Sequence, residues 1–461
     1  MKKKDNLQKY NNLSSEYPYF IYESYSISIN NDSLNIEFLF NLADKYFFKP
    51  TLKFPKKDFY STDKLSENII NNIVFNIGMI ELVSYWKAAC PPKIIIKPNF
   101  LNTEQIKWWK KLYFNGLGEF FYLNNLSPDI EDFVEIISDS ENKLTKQTFK
   151  TINDVIVPIG GGKDSIVSLK LLLNSGKKIL PFVLNPGKAS MEIIEAAGFS
   201  KENIIEVQRT IHPQLLKLNE LDFLNGHTPF SALLAFISVL STILTACKNI
   251  ALSNESSANE TTISNTNINH QYSKSYEFEK DFRFYVNKYI TEDINYFSFL
   301  RPLNELQIGK LFSDFSEYFN IFRSCNTGSK TGIWCGKCPK CLFTYIILSP
   351  FISQSKLFLI FNKNLFDDKK LLPVFNQLIG KEKTKPFECI GTIDEINAAL
   401  CQTIQKINFN NLPFLLEYYK NSELFNNYKK TDFNLLLKKY NQENFINRVF
   451  EQVIISNQCI D

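Results

Sequence analysis

The chain lacks a surplus of either charge. Its 461 residues carry 52 Lys and Arg against 48 Asp and Glu, a formal charge of +4. The lysines are scattered among acidic residues, so the sequence offers no basic stripe of the kind that follows a nucleic-acid backbone. Histidine is scarce, with three residues at 212, 227 and 270. No apolar run follows Met1-Lys2-Lys3-Lys4, which argues against a secretory leader and predicts a cytoplasmic protein. Long uncharged stretches are also few. Pro229–Cys247 is one, but Ser231, Ser238, Ser241 and Thr242 interrupt it and no second run of its kind is seen. It predicts a buried helix of an α/β core and no membrane span. Internal repeats are missing.

What is present is a globular composition, 44% apolar, with 41 Phe spread along the chain. The length allows two or three domains. Of nine cysteines, four crowd between 325 and 341. That pattern fits a reducing compartment and a metal better than disulfides.

Three regions are expected. In residues 1–150, Phe20–Asn41 alternates and breaks at Asn30-Asn31-Asp32, predicting a hairpin. A helix over 65–89 stops at Pro91-Pro92, a short strand follows at Ile94–Ile96, and Asn102 with Gln105 signals the start of a helix ending near Gly116 and Gly118. Residues 151–350 alternate strands and helices: Val155–Ile159, then a helix to Leu173; Ile179–Leu184, then a helix at 188–197; Ile204–Val207; a helix at 229–247, then Ile250–Leu252. Such units predict a parallel sheet covered by helices. Residues 351–461 read as mainly helical.

Val155–Ile159 runs into Gly160-Gly161-Gly162-Lys163-Asp164-Ser165. A strand feeding a glycine turn that opens a helix suits a phosphate, because the backbone can approach closely and its N–H groups converge. A Walker loop would need glycine at Val157, and a dinucleotide fingerprint would need Gly or Ala at Ser165. The loop instead resembles the SGGxDS signature of the PP-loop ATP pyrophosphatases, with Gly160 replacing the serine. That resemblance implies ATP cleaved to AMP and pyrophosphate.

Cys325, Cys335, Cys338 and Cys341 read C-x9-C-x2-C-x2-C. Four thiolates leave no open position, so a Zn²⁺ there is expected to be structural, its charge offset by Lys330, Lys337 and Lys340. An iron–sulfur cluster, or four unpaired thiols, are the alternatives.

Further stretches extend the likeness over most of the chain: Tyr85-Trp86-Lys87-Ala88-Ala89, Gly116-Leu117-Gly118-Glu119-Phe120, Asn225-Gly226-His227, Ser253-Asn254-Glu255, Asn269 to Lys274, Trp334 to Cys341, and Lys385-Pro386-Phe387-Glu388-Cys389. Together they resemble the ATP-dependent epimerases of UDP-N-acetylmuramoyl-L-alanyl-L-glutamate, MurL-like enzymes of peptidoglycan precursor synthesis. The 7-cyano-7-deazaguanine synthases share the loop and cysteines but leave the first 150 residues unexplained. The resemblance implies an adenine nucleotide alpha hydrolase-like, PP-loop α/β sheet flanked by an N-terminal α+β domain and a helical C-terminal extension. It implies ATP, Mg²⁺ and structural Zn²⁺, with a muramoyl dipeptide nucleotide as substrate and neither nucleic acid nor membrane as partner. A tRNA- or nucleobase-modifying enzyme and a non-catalytic ATP sensor are the other readings.

Roles follow as expectations. Lys163 with the Gly161 and Gly162 amides should hold pyrophosphate, Ser165 should cap the helix, and Asp164 should orient Mg²⁺ or serve the helix dipole. Asn254 and Glu255 follow a strand and should meet the nucleotide or metal, unless Glu255 is a solvated loop acid. His227 and His270 are candidates for contact with substrate or phosphate; His270 and Lys274, at i and i+4, share a face if that segment is helical, and Lys274 and Arg283 could equally be surface charges. His212, before Pro213, reads as a helix start. For proton transfer at Cα, Cys389, Glu388 and His227 are the candidates, with Cys389 as a small buried hydrophobe the alternative.

Overall fold

The computed structural model describes residues 3–57, 60, 66–263, 266, 268–325, 327–328, 332–407 and 411–458. The alternation near the N-terminus forms a hairpin of β1 (Tyr19–Ile29) and β2 (Ser33–Leu42). Its turn is closed by Asn30, whose side-chain oxygen accepts from the N–H groups of Asp32 (2.9 Å) and Ser33 (2.8 Å). β3 (Tyr46–Phe48) and β4 (Thr51–Pro55) follow, then the helix Glu67–Trp86 and β5 (Lys93–Ile96). The helix Thr103–Gly116 opens with the full reciprocal cap between Asn102 and Gln105. After β6 (Glu135–Ser138) come β7 (Ile152–Pro158), β8 (Ile179–Leu184), β9 (Ile205–Thr210), β10 (Cys247–Leu252) and β11 (Asn295–Ser298).

These strands form a single sheet in the order β11-β10-β7-β8-β9-β4-β2-β1-β5-β6, with β3 beside β2. The strands from β11 to β9 are parallel, and β4 joins β9 antiparallel, so the sheet runs on through the junction at residue 150. The chain is therefore a mixed α/β structure around one large sheet.

The period of two along a strand decides which part of the chain covers which face. Along β7, Ile156 belongs to a core shared with the N-terminal sheet and the helices Glu67–Trp86, Phe230–Thr245 and Tyr276–Tyr289. Val155 and Val157 point the other way, into a core built with the helices after residue 338. Helices Pro339–Leu348 and Ile393–Lys406 supply much of that second core, including Leu342, Ile346, Ile396 and Leu400, all fully buried. At about 1.5–3 kcal/mol for each fully buried large aliphatic side chain, these contacts hold the C-terminal helices to the sheet.

The uncharged stretch becomes the buried helix Phe230–Thr245. Its hydroxyls are satisfied inside the helix: Ser238 donates to Leu234 O (2.8 Å), Ser241 to Ile237 O (3.0 Å) and Thr242 to Val239 O (2.6 Å). A second apolar helix exists after all. Glu67–Trp86 is, among the described residues, the one helix long and apolar enough to cross a membrane, and 94% of its apolar window is buried inside the protein. In the sequence its apolar run is diluted by Asn68, Asn71, Asn72, Asn76 and Glu81.

Candidate active site

In sequence order the parallel strands β7, β8, β9, β10 and β11 lie 3-2-1-4-5 across the sheet. The order reverses between β7 and β10, and a cleft opens beyond their carboxyl ends, where ligands bind in such sheets. The Gly160–Ser165 loop follows β7 and Ser253-Asn254-Glu255 follows β10, so both predicted segments flank this point.

Gly161 has φ +94°, and a Cβ there would lie 3.2 Å from the Ala189 Cβ, so the position requires glycine. Gly160 differs: a Cβ would meet nothing within 4 Å, so its departure from serine removes a hydroxyl without a steric reason. Gly162 is the N-cap of the helix Lys163–Leu173, with no side-chain cap. Ser165 does not cap as expected; its hydroxyl donates to the Gly162 carbonyl at 2.9 Å. The first-turn N–H groups are thus left facing the cleft.

A cavity of about 390 Å³ lies over the loop, walled by Gly160, Gly162, Asp164, Ser165, Asn254, Lys274, Arg323, Ser324, Lys340, Glu388 and Cys389. Lys163 is not on this wall. Its ammonium turns inward to pair with Asp164 and Glu305, and it is 3% exposed. Burial works against its charge, but the two carboxylates outweigh that and raise its pKa. Lys274, Arg323 and Lys340 are the cations on the cavity wall. Arg323 was not foreseen, and Lys340 was expected only as a charge beside the cysteines, because the nearness of that motif to the loop is visible only in the fold. The Arg323 N–H donates to the Gly161 carbonyl at 2.7 Å, fastening the cysteine segment to the glycine turn.

Glu255 is buried and accepts from the Ser257 hydroxyl at 3.1 Å; it is not a solvated loop acid. One carboxylate oxygen each from Asp164, Glu255 and Glu305 lies within 4.8 Å of the others. Glu305 was not foreseen. Burial drives its pKa up to about 8 despite Lys163. The Asn254 amide donates to Ser298 Oγ at 3.0 Å, tying β10 to β11. Beneath them the fully buried Arg301 donates to the carbonyls of Glu255 (2.6 Å) and Lys274, holding both loops in place.

The segment 269–274 is a turn and a short 3-10 helix, not an α-helix, so His270 and Lys274 do not share a helical face. They converge nonetheless. Lys274 Nζ lies 3.0 Å from Cys389 Sγ, and the His270 ring stands beside the same segment, 6.4 Å from that of Phe387. Neither Lys274 nor Arg283 is a free surface charge; the Arg283 guanidinium donates to Asn295 Oδ1 at 3.0 Å. Burial alone would raise the Cys389 thiol, but Lys274 and His270 reverse this and bring it down to about 6. The adjacent Glu388 is moved the other way, to about 7, chiefly by burial. Lys340 donates to the Cys389 carbonyl, and Lys385 reaches Gly391 O at 2.9 Å, which fixes this loop.

A second cavity, of about 910 Å³, adjoins the first, and Glu388 lines both. His227, His270, Glu119, Asn124, Asn225, Phe223 and Phe387 form part of its wall. Two of the recognisable stretches meet here. The buried Lys87 ammonium holds the Asn225-Gly226 turn through Asn225 Oδ1 (3.2 Å) and the Gly226 carbonyl. His212 lies elsewhere, as the N-cap of Pro213–Glu220.

The four cysteines of the motif also converge, with all Sγ atoms within 4.8 Å. Sulfur separations are 3.7 Å (Cys325 to Cys338), 3.7 Å (Cys335 to Cys341) and 3.5 Å (Cys338 to Cys341). This set could bind a metal ion. Lys330 lies outside the described residues.

Comparison with known proteins covers most of the chain in two parts. Residues 11–299 match the model of the MurL N-terminal domain and residues 321–432 that of the MurL C-terminal domain. The chain is 33% identical over 332 residues to the UDP-N-acetyl-alpha-D-muramoyl-L-alanyl-L-glutamate epimerase of Xanthomonas oryzae pv. oryzae, covering 70% of this chain and 72% of that protein. It is 32% identical over 337 residues to the protein of the same name from Micromonospora sp., covering 72% and 74%. With its glycine-loop cleft, its four-cysteine cluster and both matching regions, the chain belongs to the MurL family.

Proposed function

We propose that this chain is an ATP-dependent epimerase that converts the terminal L-glutamate of UDP-N-acetylmuramoyl-L-alanyl-L-glutamate to D-glutamate, in the cytoplasm, for peptidoglycan precursor synthesis. The observation that carries the reading is that Cys389 and Glu388, two groups able to move a proton near neutral pH, stand on the wall of the same cavity as the glycine loop. The names of the relatives agree with it.

The chemistry explains why both features are needed. A Cα–H beside an ionised carboxylate is a very weak acid, because its removal places a second negative charge next to the first. Attack of that carboxylate on the α-phosphate of ATP expels pyrophosphate and leaves an acyl adenylate, which removes the carboxylate's charge and makes the neighbouring proton removable; water afterwards cleaves the adenylate to the D-product and AMP. The 3-2-1-4-5 strand order, the uncapped helix N-terminus and the cations Lys274, Arg323 and Lys340 support a PP-loop nucleotide site. The hard carboxylate oxygens of Asp164, Glu255 and Glu305 fit Mg²⁺, which would offset phosphate charge there. Cys389 as thiolate takes the Cα proton and Glu388 as acid returns one to the opposite face. The tail of the substrate extends past Glu388 into the second cavity, since the first has room for little beyond one small ligand. Zn²⁺ fits the cysteines: bonds of about 2.3 Å in a tetrahedron place sulfurs about 3.8 Å apart. Its role there is to hold Arg323 and Ser324 against the loop.

The test is to incubate the protein with the L,L-nucleotide, ATP and Mg²⁺ and determine the configuration of the glutamate released by hydrolysis. The proposal expects D-glutamate in amounts that depend on ATP. Retention of L-glutamate alone would reject it.

A further inference from the structure

Three ionisable groups lie in line behind the cavity wall. Glu119 is buried, in the short helix Gly118–Leu123, and its carboxylate approaches His270 Nδ1 at 2.5 Å. The His270 imidazole, 13% exposed, stands beside the Phe387–Cys389 segment, its ring 6.4 Å from that of Phe387, and its charge favours the thiolate of Cys389. His227 packs its ring 4.5 Å from that of His270 and lies 3.6 Å from the same Glu119 oxygen. A carboxylate that fixes an imidazole, which in turn meets a sulfur, is the arrangement that turns a thiol into a nucleophile or base.

We propose that Glu119, His270 and Cys389 form a proton relay in which His270 takes the thiol proton and Glu119 positions and stabilises the resulting imidazolium. His270 on this view does not serve as a phosphate contact. Its Nδ1 meets Glu119, while Lys274, on the cavity wall, meets the sulfur of Cys389. The balance of protons is simple. At rest the proton of Sγ resides on His270 and sulfur is anionic. When a Cα–H bond of the activated substrate breaks, its proton goes to Sγ and its electron pair stays on the substrate as an enolate. Reprotonation from the opposite face leaves Cys389 to return its proton to solvent. This last part rests on the epimerase reading; the state of the thiol does not.

The direction of the titrations agrees. Burial opposes charge on His270, yet the Cys389 and Glu119 hydrogen bonds raise it to about 9. His227, which desolvation and His270 push down to about 4, stays neutral and serves as a packing wall. The other charged groups facing Cys389 are Lys274, Lys340 on the helix Pro339–Leu348 and its neighbour Glu388. Lys274 and Lys340 favour thiolate whatever the state of Glu119, so the Glu119 contribution is separable. Glu119 and Glu388 act in opposite senses on the cysteine: one through His270, the other directly across the loop.

The experiment is the pH dependence of Cys389 alkylation by iodoacetamide in the full chain without substrate, read on the Cys389 peptide by mass spectrometry. The wild-type rate should rise with an apparent pKa near 6. In Glu119→Gln and in His270→Gln that midpoint should move up by a unit or more, and Glu119→Asp should restore it. An unmoved midpoint in folded Glu119→Gln would overturn the relay, as would a shift equally large in Glu119→Asp. Because the readout needs no turnover, a shifted midpoint in a protein that fails to epimerise would sink the epimerase reading and leave the relay standing. A normal epimerase with a flat midpoint would do the reverse.

Discussion

Single residues at this site are held by charge and backbone geometry more than by shape. Gly161, at φ +94° and placed so that an added Cβ would lie 3.2 Å from the Ala189 Cβ, should tolerate no side chain. Gly161→Ala is expected to introduce about 1–2 kcal/mol of backbone strain at the turn and to weaken ATP binding, which isothermal titration with ATP and Mg²⁺ would measure. Gly160→Ser has open space and should leave binding intact or improve it. Lys163 makes a different case. Its buried pairing with Glu305 predicts that Lys163→Met loses up to roughly 3–5 kcal/mol of stability in urea unfolding. Glu305 binds its proton more tightly in the folded state, so its contribution falls as pH rises from the ordinary glutamate value of about 4.3 through about 8. Without Lys163 that fall should steepen, and Lys163→Met with Glu305→Gln should recover part of the loss.

At the scale of elements, the cysteine segment matters through what it presses against. Arg323 donates to Gly161 and Ser324 packs beside Gly162, so the cysteine cluster and the glycine turn are one mechanical unit. Cys338→Ser should lower zinc content measured by atomic emission and raise the KM for ATP by about tenfold, or ~1.4 kcal/mol. Lost zinc with an unchanged KM would separate the two. The local elements were legible because their signals are local. The Asn102–Gln105 cap, the Asn30 turn and the period of two in β1 and β2 depend on residues within a few positions of each other. The four thiolates were legible because C-x2-C spacing already brings sulfurs together. Glu305 and Arg323 were not, nor were the places of Glu119 and Lys340 at the cleft, since each reaches it from a separate element and nearness across the fold leaves no spacing signal. Nor could the sequence show that β4 pairs with β9 across the expected boundary at residue 150, because strand partners at long range depend on the whole sheet.

For the whole molecule, the two faces of one sheet divide the labour. The N-terminal half supplies Glu119, Lys87 and the floor of the second cavity; the C-terminal half supplies Cys389, Lys340 and the cysteine cluster. The substrate is expected to lie across both, with its reacting carbon where the cavities meet at Glu388. A thiolate base near 6 and a carboxylic acid near 7 predict a bell-shaped kcat/KM, falling below about 6 as the thiolate is protonated and above about 7 as Glu388 ionises. The two limbs belong to the pair, and Glu388→Gln should change the upper limb. The measurement that tests the account most directly is made in deuterated water with ATP, Mg²⁺ and the L-alanyl-L-glutamate muramoyl nucleotide, following pyrophosphate and the glutamate Cα together. The account predicts pyrophosphate release with a solvent deuteron at Cα of the D-product. D-product that keeps its protium, or that forms without pyrophosphate, would contradict it.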